Sequence, residues 1–239
     1  MVSPIVWDER SGFQPDGMRW GFDNYSRWLK GQLPRGLPWV MTSMGDHAKG
    51  PDYAVVKATR IRGVERWFDS SVHNLDDVFD SFSLDVDRLL LSSLTAESIM
   101  VMQEAHEISD ACTPLLLTDG QKVFFGNGKK SLRDAVRSIE SMGFLEAVLM
   151  DLSSLGRGKR PGNLLFKDIP TSDLRIIPAG GITERDIPHL QEWGYDTAIR
   201  DPFVPPLAPI GEGPLPMVEP TYATVTRSSG RPFLDPSAL

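Results

Sequence analysis

The chain has 239 residues, of which 41% are hydrophobic and 24% charged, an ordinary balance for a globular protein with a sizeable core. A net charge of −7 with only short basic clusters argues against a nucleic-acid surface, and one cysteine excludes a disulfide framework and paired-cysteine zinc or redox motifs. No apolar run approaches the ~18 residues of a membrane span, so we expect a cytoplasmic protein with no membrane partner.

The N-terminal part contains two strand candidates. Residues 4–7 form a short apolar run that ends at Asp8, and residues 37–42 form the second candidate. Aromatic residues at helical spacing favour a helix within residues 13–37. Asp8 therefore stands at the carboxyl end of the first strand.

The middle of the chain repeats a strand–helix pattern. Residues 64–68 predict a third strand, and Asn74 then caps a helix whose apolar residues recur at three- and four-residue spacing. Residues 86–91 predict a buried fourth strand, and a helix is expected over residues 96–109. Residues 113–118 predict a fifth strand.

After the fifth strand, Asp119-Gly120 predicts a turn that continues as a hairpin. Ser131 and Asp134 have the spacing of a capping box, which predicts the start of a further helix. Residues 147–150 predict a sixth strand that ends at Asp151. A carboxylate at the end of a strand is a candidate for proton transfer as well as for a structural role.

The stretch 173–203 carries the strongest local signal. Residues 174–178 predict a buried strand, the pair Gly180-Gly181 follows, and a capped helix and a further strand over 197–200 complete a βαβ unit. Glycines let backbone N–H groups approach a phosphate closely, and the following helix adds its positive end. The alternative is a tight turn that needs positive φ, and the sequence leaves both interpretations open.

The spacing of these elements defines the predicted fold. Strand candidates begin near residues 4, 38, 64, 86, 113, 146, 174 and 196. Strands that alternate with amphipathic helices indicate an α/β fold with a parallel sheet, and eight units suit a single (β/α)8 TIM barrel over residues 1–204. A doubly wound open sheet is the alternative. Residues 205–239 are rich in proline and form a predicted C-terminal arm, disordered or laid across the barrel or a partner.

Several segments together resemble the histidine-biosynthesis barrels, which include ProFAR isomerase and the imidazole glycerol phosphate synthase cyclase. The segments that carry the resemblance are Trp67-Phe-Asp-Ser-Ser, Ser131-Leu-Arg-Asp-Ala-Val, Val148-Leu-Met-Asp151-Leu-Ser, Pro161-Gly-Asn-Leu-Leu and Ala179-Gly-Gly-Ile-Thr-Glu-Arg-Asp-Ile. The resemblance covers about residues 1–204. It implies a barrel that binds a small phosphorylated metabolite at the carboxyl ends of its strands.

The resemblance also assigns catalytic positions. In the isomerase, aspartates at the ends of strands one and five act as general acid and base, and Asp8 matches the first of them. Counting back from the Asp119-Gly120 turn puts Leu116 where the second belongs, and leucine cannot transfer protons. Asp151 is the replacement we expect, since Asp119 is readily explained as a turn residue.

The phosphate-binding positions depart from the family pattern. The third strand ends in Ser70-Ser71 and the fourth in Ser92-Ser93, where the family has glycine-containing turns. Arg200 stands at the end of the eighth strand and offers a side-chain cation instead. The predicted phosphate-binding residues are Gly180, Gly181, Arg200, Ser70, Ser71, Ser92 and Ser93.

Two functional hypotheses follow. The first is an isomerase- or lyase-type enzyme acting on a small phosphorylated metabolite, for which the resemblance allows one-carbon cofactor (methanopterin or methanofuran) biosynthesis. The second is a barrel without catalysis that serves as a binding or assembly subunit, with a protein partner or a second copy held through the arm. Neither a resident cofactor nor a metal site is predicted.

Overall fold

Strands and helices alternate in the residues that the structure, a computed structural model, describes: 3–6, 39–42, 62–63, 65–126, 128–154, 163–167, 169 and 172–199. The strands are β1 (Ser3–Val6), β2 (Trp39–Thr42), β3 (Arg66–Asp69), β4 (Arg88–Ser92), β5 (Cys112–Thr118), β6 (Lys122–Phe125), β7 (Gly128–Ser131), β8 (Glu146–Asp151) and β9 (Arg175–Ala179). The helices are α1 (Leu75–Phe82), α2 (Ile99–Ile108), α3 (Leu132–Glu140), α4 (Asn163–Lys167) and α5 (Ile187–Glu192), with a 3-10 turn at Glu184–Asp186. None of these helices has the length and apolar character needed to cross a bilayer.

The strands form one sheet in which the parallel neighbours follow chain order. The parallel path runs β1-β2-β3-β4-β5-β8-β9, and β6 and β7 form an antiparallel hairpin that extends from β5. Beyond β9, the Ile199 N–H donates to the Pro178 carbonyl at 2.8 Å. The predicted α/β fold with a parallel sheet is therefore confirmed, and so is the hairpin after Asp119-Gly120.

Local sequence signals explain where two of the helices begin. The Asn74 side chain accepts from the backbone of Asp76 and Asp77, and the Asp77 carboxylate accepts from the Asn74 N–H, which completes a capping box. Ser131 caps α3 by accepting from the Asp134 N–H at 3.1 Å. Both predicted caps are confirmed.

Strands β3, β4, β5, β8 and β9 are buried on both faces, but the faces have different neighbours. Leu89, Leu116 and Leu149 lie in a cluster with Val78 of α1 and Ile139 of α3, so one face packs on the helices. Among the described residues, the opposite face carries a second cluster with no helical member. Its buried side chains are Trp67, Leu90, Leu115, Leu117, Val148, Met150, Ile177, Ala179 and Ile199. Burial on both faces explains why the strand sequences are continuous apolar runs rather than alternating ones.

A chain of charged side chains crosses the amino-terminal edge of this second face. Arg88 pairs with Glu146 and lies 4.4 Å from the centre of the Trp67 ring. Glu146 also accepts from Arg175 at 2.8 Å, and Arg175 pairs with Asp196 at 2.9 Å. The hydrogen bond from Arg175 lowers the pKa of the Asp196 carboxyl. Because the pairs are partly exposed, each contributes at most about 1 kcal/mol, and together they link the starts of β4, β8 and β9 with the segment at Asp196.

Candidate functional site

Four neighbouring parallel strands end in the same kind of turn, in which a polar side chain accepts a hydrogen bond from the backbone N–H two residues further on. The bonds run from Ser71 to Asp69 Oδ1 (2.9 Å), Leu94 to Ser92 Oγ (3.3 Å), Gly120 to Thr118 Oγ1 (3.0 Å) and Ser153 to Asp151 Oδ1 (2.9 Å). Aspartate, serine and threonine form such turns because their oxygens lie within reach of the following backbone. These turns lie at the carboxyl edge of the sheet, where parallel α/β proteins bind ligands.

The pleat divides these four side chains between the two faces. Successive residues of a strand point to opposite faces, so Asp69 and Ser92 share the side of Trp67 and Leu90, on the face without described helices. Both polar side chains are fully buried.

Thr118 and Asp151 are register partners on neighbouring strands, and they lie on the other side. They share the face of Leu116 and Leu149, which pack against the helices. The side chain of Leu116 therefore points into the helix-side core. The position that our counting gave to a catalytic carboxylate therefore faces away from the second face, because Leu116 alternates with Leu115 and Leu117, which belong to that face.

Both carboxylate oxygens of Asp151 accept hydrogen bonds from the loop that follows β8. Asp151 is fully buried, and its Oδ1 accepts from the N–H and the hydroxyl of Ser153 at 2.9 and 2.7 Å. Its Oδ2 accepts from the Ser154 hydroxyl at 2.7 Å. These contacts give Asp151 a structural function in the loop after β8. Its catalytic role stays a prediction.

Gly180 and Gly181 pack directly against that loop. Their φ angles are +90° and +67°, in the region that favours glycine. A Cβ on Gly180 would lie 2.2 Å from the Asp151 carbonyl oxygen, and one on Gly181 would lie 2.4 Å from the Ser154 carbonyl oxygen. The pair therefore meets a structural need, close backbone approach between the ends of β8 and β9, and phosphate binding at this turn stays a prediction.

The loops at this edge of the sheet also interlock further along. The Thr95 hydroxyl donates to the Val72 carbonyl at 3.0 Å, which joins the loops after β3 and β4. The Gly126 N–H donates to the Ser93 carbonyl at 2.9 Å, which joins the hairpin to the loop after β4. Gly120 lies against Ser153, with a Cβ position 3.6 Å from its hydroxyl. Contacts between neighbouring loops thus continue from β3 to β9, and we call these loops the rim.

The predicted serines at the strand ends have structural partners in the helix α1 and the strand β5. The hydroxyls of Ser70 and Ser81 are 2.5 Å apart, and Ser93 Oγ accepts from the Leu117 N–H at 3.1 Å. Ser71 has a φ of +61°, unusual for a residue with a side chain. Phosphate binding by these serines and by Ser92 stays a prediction. Asp8, Arg200 and the tail 205–239 lie outside the described residues.

Apolar side chains line the second face just inside the rim. Leu94, Phe124 of the hairpin and Leu152 pack against the second-face cluster. Lys129 lies 4.6 Å from the centre of the Phe124 ring and pairs with Asp119 at 2.7 Å. Asp119 also accepts from two backbone N–H groups of the turn. The hydrogen bond from Lys129, together with these two, lowers the pKa of Asp119 to about 2. The interpretation of Asp119 as a turn residue agrees with this geometry.

No protein-family model matches the chain, and neither does any curated protein. Within the described part of the chain, no three His, Cys, Asp or Glu side chains gather as a metal ion would require. Asp69 is the residue that our sequence reasoning passed over. The sequence places Asp69 at a strand end two residues after Trp67, but only the structure shows that this phase belongs to the second face.

Proposed function

We propose that the chain is a closed (β/α)8 barrel, a divergent relative of the histidine-biosynthesis barrels, and that it binds a small phosphorylated metabolite at the rim. Two features support closure. The described parallel strands follow chain order without the reversal of a doubly wound sheet, and the second face is buried without a described helix over it. In a closed barrel, that face is the interior.

The observation that carries the ligand site is the interlocked rim at the carboxyl edge. Binding residues must be held firmly by their surroundings, and loops joined by hydrogen bonds and close packing from β3 to β9 supply that rigidity. The anionic character of the ligand rests on the glycine turn after β9 and on Lys129, which the hairpin holds beside the same edge. The assigned chemistry is proton transfer in an isomerase- or lyase-type reaction, and one-carbon cofactor biosynthesis is the pathway that the resemblance allows.

A second candidate function is ligand or partner binding without catalysis, in which the barrel serves as a binding or assembly subunit. The occupied carboxylate of Asp151 favours it, since both oxygens already accept hydrogen bonds from the loop that contains them. Turnover assays with each ligand found by binding distinguish the two functions.

Leucines that flank β8 provide a matched test of where the anion binds. Leu152 follows the strand at the rim and is partly buried, whereas Leu145 precedes it at the opposite edge and is 82% exposed. Leu152→Glu adds a negative charge beside the proposed site, and Leu145→Glu adds the same charge at the far end. Gly181→Asp is unsuitable, because its side chain would overlap the Ser154 backbone.

Binding of inorganic phosphate and ribose 5-phosphate would be measured by calorimetry and thermal shift. We expect Leu152→Glu to weaken both at least about tenfold through charge repulsion, less so at high salt, and Leu145→Glu to leave both unchanged. Equal effects of the two substitutions would place the anion elsewhere. Failure of the wild-type protein to bind either compound would refute the proposed function.

A further inference from the structure

The geometry points to Asp69, rather than Asp151, as the carboxylate that contacts the ligand, where it would accept hydrogen bonds from hydroxyl groups of a phosphorylated polyol. This inference rests on the proposed function. It adds to that function a residue that would bind the hydroxyl-bearing part of the ligand.

The two aspartates share their position in the strand, their burial and one turn contact. Each is the last residue of a parallel strand, each is fully buried, and each accepts from the N–H two residues further on at 2.9 Å. Local contacts of this kind therefore cannot distinguish a ligand-binding aspartate from a turn-forming one.

The face of the sheet does distinguish them. Asp69 is in phase with Trp67 on the second face, the interior of the proposed barrel, and Ser92 on the neighbouring strand lies on the same side. Asp151 is in phase with Leu149, which packs against the helices. A ligand that enters at the rim meets the second face, so Asp69 and Ser92 are the strand-end side chains placed to contact it.

The chain itself offers a matched pair of substitutions for the test. Asp69→Asn and Asp151→Asn each keep a side-chain oxygen for the turn while removing the charge. Asp69→Ser is a further variant, since serine forms the same turn at Ser92 on the next strand. Thermal unfolding of each variant would establish that it folds, and Asp69→Ser would be used where Asp69→Asn does not.

The probes are ribose 5-phosphate, which carries hydroxyls, and inorganic phosphate, which carries only the anion. We expect the Asp69 variants to bind ribose 5-phosphate about 10- to 100-fold more weakly, the range for lost hydrogen bonds to a charged group, with phosphate affinity unchanged or raised. We expect Asp151→Asn to lower the melting temperature and to leave both affinities unchanged.

Two results would overturn the inference in different ways. If the wild-type protein binds both probes and the Asp69 variants bind ribose 5-phosphate normally, the assignment of Asp69 is wrong while the proposed function stands. If the wild-type protein binds neither probe, the proposed function fails and the assignment falls with it.

Discussion

Replacing Gly180 with alanine tests the packing of the two strand ends at the rim. Gly180 and Gly194 both have a φ of +90°, so alanine at either position incurs a backbone cost of about 1–2 kcal/mol. At Gly194 a Cβ would have no neighbour within 4 Å, whereas at Gly180 it would lie 2.2 Å from the Asp151 carbonyl oxygen. Relieving that overlap requires backbone movement, which costs a further 1–3 kcal/mol or so. We therefore expect a loss of about 2–5 kcal/mol for Gly180→Ala and about 1–2 kcal/mol for Gly194→Ala.

Urea unfolding of the two variants and the wild-type protein would measure this difference. Fluorescence and circular dichroism together would check that unfolding is a single transition, and the slope should stay constant if only stability changes. Equal losses of stability in the two variants would refute the close approach of Gly180 to Asp151. They would also remove the structural explanation for the glycine pair and strengthen its interpretation as a phosphate turn.

Two further predictions concern single ionisable groups. Burial raises the pKa of the Cys112 thiol to about 12, so we expect a thiol reagent at pH 8 to label the unfolded but not the native protein. The free energy of unfolding should also fall as pH rises from about 8.5 towards 12, because only the unfolded thiol ionises in that range. Rapid labelling of the native protein would contradict the burial of Cys112. The pKa of Asp119 is lowered to about 2, first by its bond to Lys129, so its contribution to stability should be lost as pH falls from about 4 to 2. Lys129→Ala should raise the pKa of Asp119 in an NMR titration, with Lys130→Ala as the control, and equal shifts in the two variants would contradict the pairing.

The structure and the resemblance bear on different parts of the function. The resemblance implies a phosphate-binding barrel and assigns acid–base chemistry to strand-end aspartates. The structure adds that Asp151 and the glycine pair form one packed unit, in which the glycines admit the backbone of the loop that Asp151 closes. The packing of this unit is therefore enough to explain why Asp151, Gly180 and Gly181 stand at these positions, without a catalytic or phosphate-binding role. A test of ligand binding by these residues therefore needs matched positions rather than single substitutions.

Local chemistry in the sequence determined the order of the described elements and the starts of two helices. The apolar runs predicted the strands, and the oxygens of Asn74 and Ser131 predicted helix starts, because caps and turns depend on residues only two or three positions apart. The Asp119-Gly120 turn predicted the hairpin for the same reason.

Only the tertiary structure decided which strand ends meet and which face each side chain takes. A shift of one residue in the end of a strand moves its last side chain to the other face, which separates Asp69 from Asp151 although the two are locally alike. The Arg88–Glu146–Arg175 chain joins residues far apart in sequence, because the parallel strands β4, β8 and β9 all start at one edge of the sheet. Spacing along a single sequence carries no record of such contacts. The sequence alone therefore determined the repeating units, whereas the pairing of strands decided which side chains share the candidate site.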